Sequence, residues 1–414
     1  MSLEISGTII NESQRIKELL LPIQTSINNQ FTVMHNEAFA SVVEQIGYQQ
    51  YEAANVGDLV DTRIKSKEPV ISPLALSMAL PLSEKSAETT RKSRIIIKDV
   101  LLGDDDRLVV IAGPCSLHDP EAVLEYAKFI SEMRDEHSED LEILMRLYSE
   151  KPRTELGWKG FVHDPLLNGS EDMNLGLIAD RLTALKITEM GVPLSRERLG
   201  SNTPQYVNGL ISYDSIGARN AEDQNARMYV SGTSSHGGIK NSRDGDVVSA
   251  ISATISAAGE HSFIGMDENG QQAIVYTKGH EFAHIILRGG KDGPNFSEED
   301  IAKAVQVIEE KHQKTKSQLP VAIGVDASHG NKVDGSQDTA IKSVASQISL
   351  GSRAIKVLLT ESFIKGGRQD LDITHPDALE YGVSITDACE SIDATRVHFG
   401  ILAEAVRKRR ELVE

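Results

Sequence analysis

From about residue 107 onward the chain repeats one pattern: a short apolar run, a Gly-rich or polar turn, then a longer stretch of helical periodicity. The runs are RLVVIAG (107–113), LEILMRLY (141–148), VPLSRE (192–197), YDSIGAR (213–219), a segment from YVSGT to GGIKN (229–241), HIILRGG (284–290), VAIGVDASH (321–329) and IKVLLTES (355–362). Between them, DPEAVLEYAKFISEMRDE, SEEDIAKAVQVIEEKHQK and DTAIKSVASQISLGS place apolar residues at three- and four-residue intervals behind acidic first turns, as amphipathic helices do. Continuously apolar strands alternating with helices belong to a parallel sheet covered on both faces. Eight of them in about 250 residues suit a closed (β/α)8 TIM barrel, α/β in class, better than an open doubly wound sheet. FIGMDENGQQAIVYTKG (263–279) breaks the rhythm, and Asn269-Gly270 between its alternating runs predicts a β-hairpin inserted before the sixth strand.

Residues 1–106 follow a different plan and are expected to form an N-terminal helical extension to a catalytic barrel at 107–414, serving packing, oligomerisation or regulation. RIKELLLP (15–22) reads as a short helix ended by proline, and 83–107 as a helix capped by Ser83 and stopped at Gly103, leading into strand one. The stretch 23–73, with Phe31, Phe39, Tyr48 and Tyr51 and a helical spacing around 36–54, is too apolar for a bare linker. The 61 acidic residues outnumber the 43 basic ones for a net charge of −18, which argues against nucleic acid or an anionic membrane as partner. MSLEISGTIINES lacks the layout of a secretory leader, and no apolar run reaches the ~18 residues that span a bilayer. The only two cysteines, Cys115 and Cys389, are too few for a disulfide framework, so a cytoplasmic, reduced, soluble protein is expected.

In a barrel, function collects at the C-terminal ends of the strands. Strand one leads to Cys115, strand seven to His329 and strand eight to Glu361, with Asp387 following in SITDAC. A thiolate, an imidazole and two carboxylates make a donor set for one divalent transition ion, and Mn, Fe, Co or Zn would each suit it. Strands one, seven and eight are neighbours in a closed barrel, which is what brings ligands so distant in sequence together. A second set at the same mouth is cationic: Arg146, Lys151, Arg153, Arg219, Lys240 and Arg288. Their mutual repulsion calls for anionic ligands, and guanidinium forks match phosphate and carboxylate oxygens. Two phosphates and a carboxylate would account for the number. Neither a Walker sequence nor a convincing dinucleotide fingerprint is present.

The same residues sit in GPCSLHDP, MRLYSEKPRTELGWKG, TPQY, IGAR, HIILRGGK, DASHGN, TESFIKGG and SITDAC, which closely resemble the type I 3-deoxy-D-arabino-heptulosonate 7-phosphate synthases over roughly 84–410 and the short helix near 15–22. The resemblance implies a (β/α)8 barrel with an N-terminal extension and a hairpin at strand six. It also implies condensation of phosphoenolpyruvate with D-erythrose 4-phosphate, the first step of the shikimate pathway of aromatic amino acid biosynthesis. On that analogy Cys115, His329, Glu361 and Asp387 hold the metal. Phosphoenolpyruvate meets Arg146, Lys151, Arg219, Lys240 and Arg288 with Glu197 nearby, and Lys151-Pro152-Arg153-Thr154 receives the aldose phosphate through Arg153 and Thr154. Lys151, its pKa depressed by neighbouring cations, is expected to donate a proton to the aldehyde oxygen. A homodimer or homotetramer and an aromatic amino acid effector are further implications.

The match departs from the family pattern in clusters. Gly200 in SRERLGSNTPQY stands where an acid is usual, NAEDQ (220–224) replaces Thr-Thr-Glu-Ser-Gln, and SGTSSHGGIKNS (231–242) loses a proline and gains His236. YTKGHEFAHIILRGG also differs ahead of its last seven residues. Drift or lost feedback control is one reading, and an altered aldehyde or altered regulation another. A different aldose phosphate, such as arabinose 5-phosphate, and a non-catalytic effector-binding homologue are the alternative functions.

Overall fold

A computed structural model of the chain describes residues 8–20, 58–200 and 202–412. The order of elements is α1 (8–20), α2 (Pro73–Ala79), α3 (Glu84–Leu102), β1 (Leu108–Gly113), α4 (Pro120–Glu136), β2 (Leu141–Arg146), α5 (Met173–Glu189), β3 (Leu194–Arg198), β4 (Ile211–Ile216) and α6 (Gln224–Ser231). There follow β5 (His236–Lys240), α7 (Val247–Ala257), β6 (Ser262–Met266), β7 (Gln272–Tyr276), β8 (His284–Leu287), α8 (Glu298–Thr315), β9 (Ile323–Asp326), α9 (Asp338–Ser349), β10 (Ile355–Glu361) and α10 (Ile392–Glu411).

Among the described residues, eight strands close into one parallel barrel in the order β1-β10-β9-β8-β5-β4-β3-β2, and β6 and β7 form a separate two-stranded sheet. The barrel strands are almost wholly buried on both faces, the reason their sequences run continuously apolar. Val109 and Ile111 of β1, Leu144 of β2, Tyr213 of β4, Ile286 of β8 and Val357 and Leu359 of β10 fill the inside. Ile97, Val100 and Leu101 of α3 join that inner cluster, so α3 closes the N-terminal end of the barrel. Arg94 of α3 donates from Nη2 to the Ile211 carbonyl at 2.6 Å, fastening the helix to β4.

Local signals set the helix ends. Ser83 accepts from the Ser86 amide, and Gly103 closes α3 at φ +88, a left-handed conformation that suits glycine. Asp119 caps α4, and Ser297 and Asp300 form a reciprocal capping box on α8. The inserted hairpin turns at Asp267, whose Oδ1 accepts from the Asn269 and Gln271 amides at 3.0 and 2.8 Å.

One segment differs from expectation. Residues 229–231 end helix α6 rather than begin the fifth strand, because Asp223 caps a helix there and its Ala226 and Val230 are buried. The spacing around 36–54 and Pro22 lie outside the described residues, and 58–72 carries neither helix nor strand.

Candidate active site

In-register pairing of β1 with β10 sets Gly113 beside Glu361, so Cys115, two residues further on, reaches the end of β10. The chain after β10 returns over the same mouth through bridges between Ser362 and Glu390 and between Gly367 and Cys389, bringing Asp387 with it. Donor atoms of Cys115, Glu361 and Asp387 consequently lie within 4.8 Å of one another, and Cys115 Sγ is 3.3 Å from Asp387 Oδ2. Metal bonds of about 2.0–2.3 Å put neighbouring donors roughly 3–4 Å apart, so the trio fits a single ion. Both cysteines are free thiols.

The electrostatics agree with that fit. Burial, and then the Glu361 carboxylate, push the Cys115 thiol up to about 11, so the thiolate that a metal needs is stable there only with added positive charge. Burial would raise Glu361 as well, but His329, Arg146, Lys151 and Lys332 outweigh it and hold the carboxyl well below the usual range. Arg146 Nη2 is 3.2 Å from Glu361 Oε1, and Ser328 Oγ donates to Glu361 Oε2 at 2.7 Å.

His329, expected as the fourth ligand, is not part of the close trio. Its Nδ1 lies 3.0 Å from Asp326 Oδ2, and the same carboxylate oxygen is 2.9 Å from Lys240 Nζ. A carboxylate on Nδ1 leaves Nε2 as the nitrogen for an ion, an arrangement common among metal-binding histidines. The backbone supports a functional reading, since His329 has φ +59, a conformation costing about 1–3 kcal/mol in a residue with a side chain. Asp326 is fully buried, and Lys240 and His329 overcome the effect of burial to keep it far below the usual carboxyl range. The sequence reading passed over it, although it stands three residues before His329 at the end of β9.

Beside the trio opens a cavity of about 490 Å³ lined by residues 151–156, Glu197, Gly217, Ala218, Arg219, Lys240, Arg243, Arg288, His329 and Asp387. Five of the six expected cations line it: Lys151, Arg153, Arg219, Lys240 and Arg288. Arg146 instead lies beneath, fully buried, paired to Glu361 and stacked over Tyr148 with its guanidinium carbon 3.9 Å from the ring centroid. Arg219 ties the 151–154 loop to the strand-four end, donating to Thr154 Oγ1 at 2.7 Å and to the Pro152 carbonyl at 3.4 Å. Glu197 lies 3.6 Å from Lys240 Nζ, and the charges of Lys240 and Lys151 prevail over burial to keep it ionised.

Lys151 departs from expectation in its acidity. Nζ donates to the Cys115 carbonyl at 3.0 Å and contacts Sγ at 3.1 Å. Burial alone would lower its pKa, but Cys115, Glu361 and Glu197 raise it above the ordinary lysine value, so the depressed pKa inferred from neighbouring cations is corrected. The influence of those acidic groups outweighs that of Arg146. Arg243 was missed altogether, although a cation three residues beyond Lys240, in the same strand-end turn, was the available signal.

Comparisons with known proteins agree with this architecture. The family described as "DAHP synthetase I family" matches residues 80–398. A Schizosaccharomyces pombe protein named "Putative phospho-2-dehydro-3-deoxyheptonate aldolase" is 42% identical over 352 residues, 84% of this chain and 94% of that protein. A Salmonella typhimurium protein named "Phospho-2-dehydro-3-deoxyheptonate aldolase, Tyr-sensitive" is 41% identical over 339 residues, 81% of this chain and 93% of that one. The solved phospho-2-dehydro-3-deoxyheptonate aldolase of Francisella tularensis superposes with a TM-score of 0.79 at 39% identity, covering 84% of this chain and 99% of that structure. With the barrel, the inserted hairpin and the cation-lined mouth all in place, the match over most of the length means that this chain belongs to the DAHP synthetase I family.

Proposed function

We propose that this chain condenses phosphoenolpyruvate with D-erythrose 4-phosphate, in a metal-dependent reaction giving 3-deoxy-D-arabino-heptulosonate 7-phosphate and inorganic phosphate. The observation that carries the reading is that the Cys115, Glu361 and Asp387 trio adjoins, through Asp387, a cavity walled by six cations, Lys151, Arg153, Arg219, Lys240, Arg243 and Arg288. Carbon 3 of the enol forms a bond to the aldehyde carbon, water adds at carbon 2, and the hemiketal phosphate then breaks its C–O bond to release phosphate. A divalent ion held by Cys115, Glu361, Asp387 and His329 Nε2 would supply Lewis-acid polarisation of the aldehyde oxygen.

The protein's own groups do the rest. Arg219, Lys240 and Arg288 hold the phosphate and carboxylate of phosphoenolpyruvate, with Glu197 balancing Lys240. Arg153 and Thr154 take the phosphate end of the sugar, and the Arg219–Thr154 bond links the two subsites. Lys151, kept protonated beside Cys115, carries the proton for the aldehyde oxygen. Arg146 acts from below by holding Glu361 in its ionised form. The reading includes a cytoplasmic homo-oligomer and an aromatic amino acid effector, the latter supported by relatives named Tyr-sensitive and Phe-sensitive.

The test uses purified protein stripped with a chelator and reloaded with Mn, Fe, Co or Zn, following loss of enol absorbance with a panel of aldose phosphates. The reading expects consumption with erythrose 4-phosphate in metal-loaded protein and its loss after chelation. No consumption with any sugar would overturn it in favour of a non-catalytic homologue, and preference for arabinose 5-phosphate in favour of the altered enzyme.

A further inference from the structure

Arg243 is a cation that neither the strand-end pattern nor the proposed substrate contacts account for. It lines the main cavity and also an adjoining outer cavity of about 360 Å³, whose wall includes Arg219, Glu222, Asp244 and Lys291. Arg219 and Arg243 thus stand where the two spaces meet. Among the described residues, none of Arg219, Arg243 and Arg288 forms an ion pair with a carboxylate. Burial lowers the pKa of Arg288, Asp326 and then Glu197 offset part of that, and Arg243 and Arg219 lie close enough to add to the lowering. Three guanidinium groups sharing one cavity, none of them in an ion pair, repel one another until an anion with several oxygens sits among them.

The position of Arg243 follows from backbone packing. A Cβ on Gly290 would fall 2.6 Å from the Gly245 α-carbon, so the turn after β5 and the turn after β8 touch main chain to main chain. Asn241, fully buried, reinforces the contact: its Oδ1 accepts from the Arg288 amide at 2.8 Å and its Nδ2 donates to the Gly289 carbonyl at 3.0 Å. Arg243 and Arg288 are therefore carried by two turns joined at both ends. Of the nearby acids, Asp244 is bonded by Ser242 Oγ and lies close to Lys291, which helps keep it ionised.

Resting on the proposed reaction, we propose that Arg243 is a further phosphate-binding residue, a third guanidinium for the phosphoryl group of phosphoenolpyruvate that retains inorganic phosphate at the neck leading to the outer cavity. The site then binds free phosphate through Arg243 whichever sugar it uses.

The test measures calorimetric binding of inorganic phosphate and phosphoenolpyruvate to metal-loaded full-length protein, together with KM, kcat and phosphate inhibition, for the parent, Arg243→Gln, Arg243→Lys and a control, Lys311→Gln on the outer helix α8. Arg243→Gln is expected to weaken phosphate binding and raise the KM for phosphoenolpyruvate, each by about tenfold, with the loss in KM rather than kcat and the sugar KM unmoved. Arg243→Lys should fall between, and the control should match the parent. Phosphate binding unchanged within twofold in Arg243→Gln, or a rise confined to the sugar KM, would overturn the proposal. Arg243-dependent phosphate binding in a protein that consumes no sugar would sustain the subsite while removing the reaction reading.

Discussion

Asp326 does two jobs with one oxygen, meeting Lys240 Nζ at 2.9 Å and His329 Nδ1 at 3.0 Å. On the proposed reaction, this fully buried carboxylate, shared by a cation that would face substrate and an imidazole that would face metal, would couple the two halves of the site. Asp326→Asn keeps the shape but removes the charge that orients His329. Its metal affinity, measured by competition with a chelating dye, is expected to fall about 10–100-fold while the protein stays folded; affinity within threefold of the parent would refute the coupling. At this scale the sequence placed Cys115, Glu361 and the five cations of the cavity wall near strand ends at one mouth, but it passed over Asp326 at the end of β9. It was blind to direction. Arg146 points down to Glu361 rather than into the cavity, and the acidity of Lys151 depends on which charges lie nearest, which one-dimensional spacing does not encode.

At the scale of elements, two departures from the family pattern that are separate in sequence prove to be one feature. His236 opens β5 and His284 opens β8, and with His280 and Phe282 they form a cluster at the barrel floor, where the His236 and Phe282 ring centroids are 5.5 Å apart. His236 Nε2 contacts the Arg94 carbonyl of α3 at 2.6 Å, His280 Nε2 the Ser235 carbonyl at 2.8 Å, and His284 Nε2 the Tyr213 hydroxyl at 2.8 Å. Both strands and turns were readable as elements because periodicity is local. The neighbourhood of β5 and β8 follows from a closed barrel with the hairpin inserted between them, whereas the ring-to-ring contacts of the histidines depend on side-chain directions that periodicity does not encode.

Burial lowers all three histidines, His284 to about 4 and His236 to about 3. The unfolded chain therefore binds more protons than the folded one below the ordinary histidine pKa, so this contribution is complete above about pH 6.5 and is lost as pH falls toward 4. Chemical denaturation at pH 7 and pH 5 should show a loss on the order of 2 kcal/mol from His284 alone, absent in His284→Gln. Equal pH dependence in parent and variant would contradict the assignment.

For the whole molecule, closure of the barrel is what turns scattered residues into a site. Gly113 and Glu361 share a register only because β10 returns to pair with β1, which brings Cys115 to Asp387 across 272 positions. α3 seals the opposite end, so the cation-lined mouth is the face left for ligands. The central claim is that one ion draws a thiolate and two carboxylates together at that mouth. Titration of the metal-stripped protein with Co²⁺ tests it most directly, since sulfur bonded to cobalt gives a near-ultraviolet charge-transfer band. One equivalent should bind with that band, and Cys115→Ser should lose it; one equivalent bound without the band, or a band untouched by Cys115→Ser, would contradict the account.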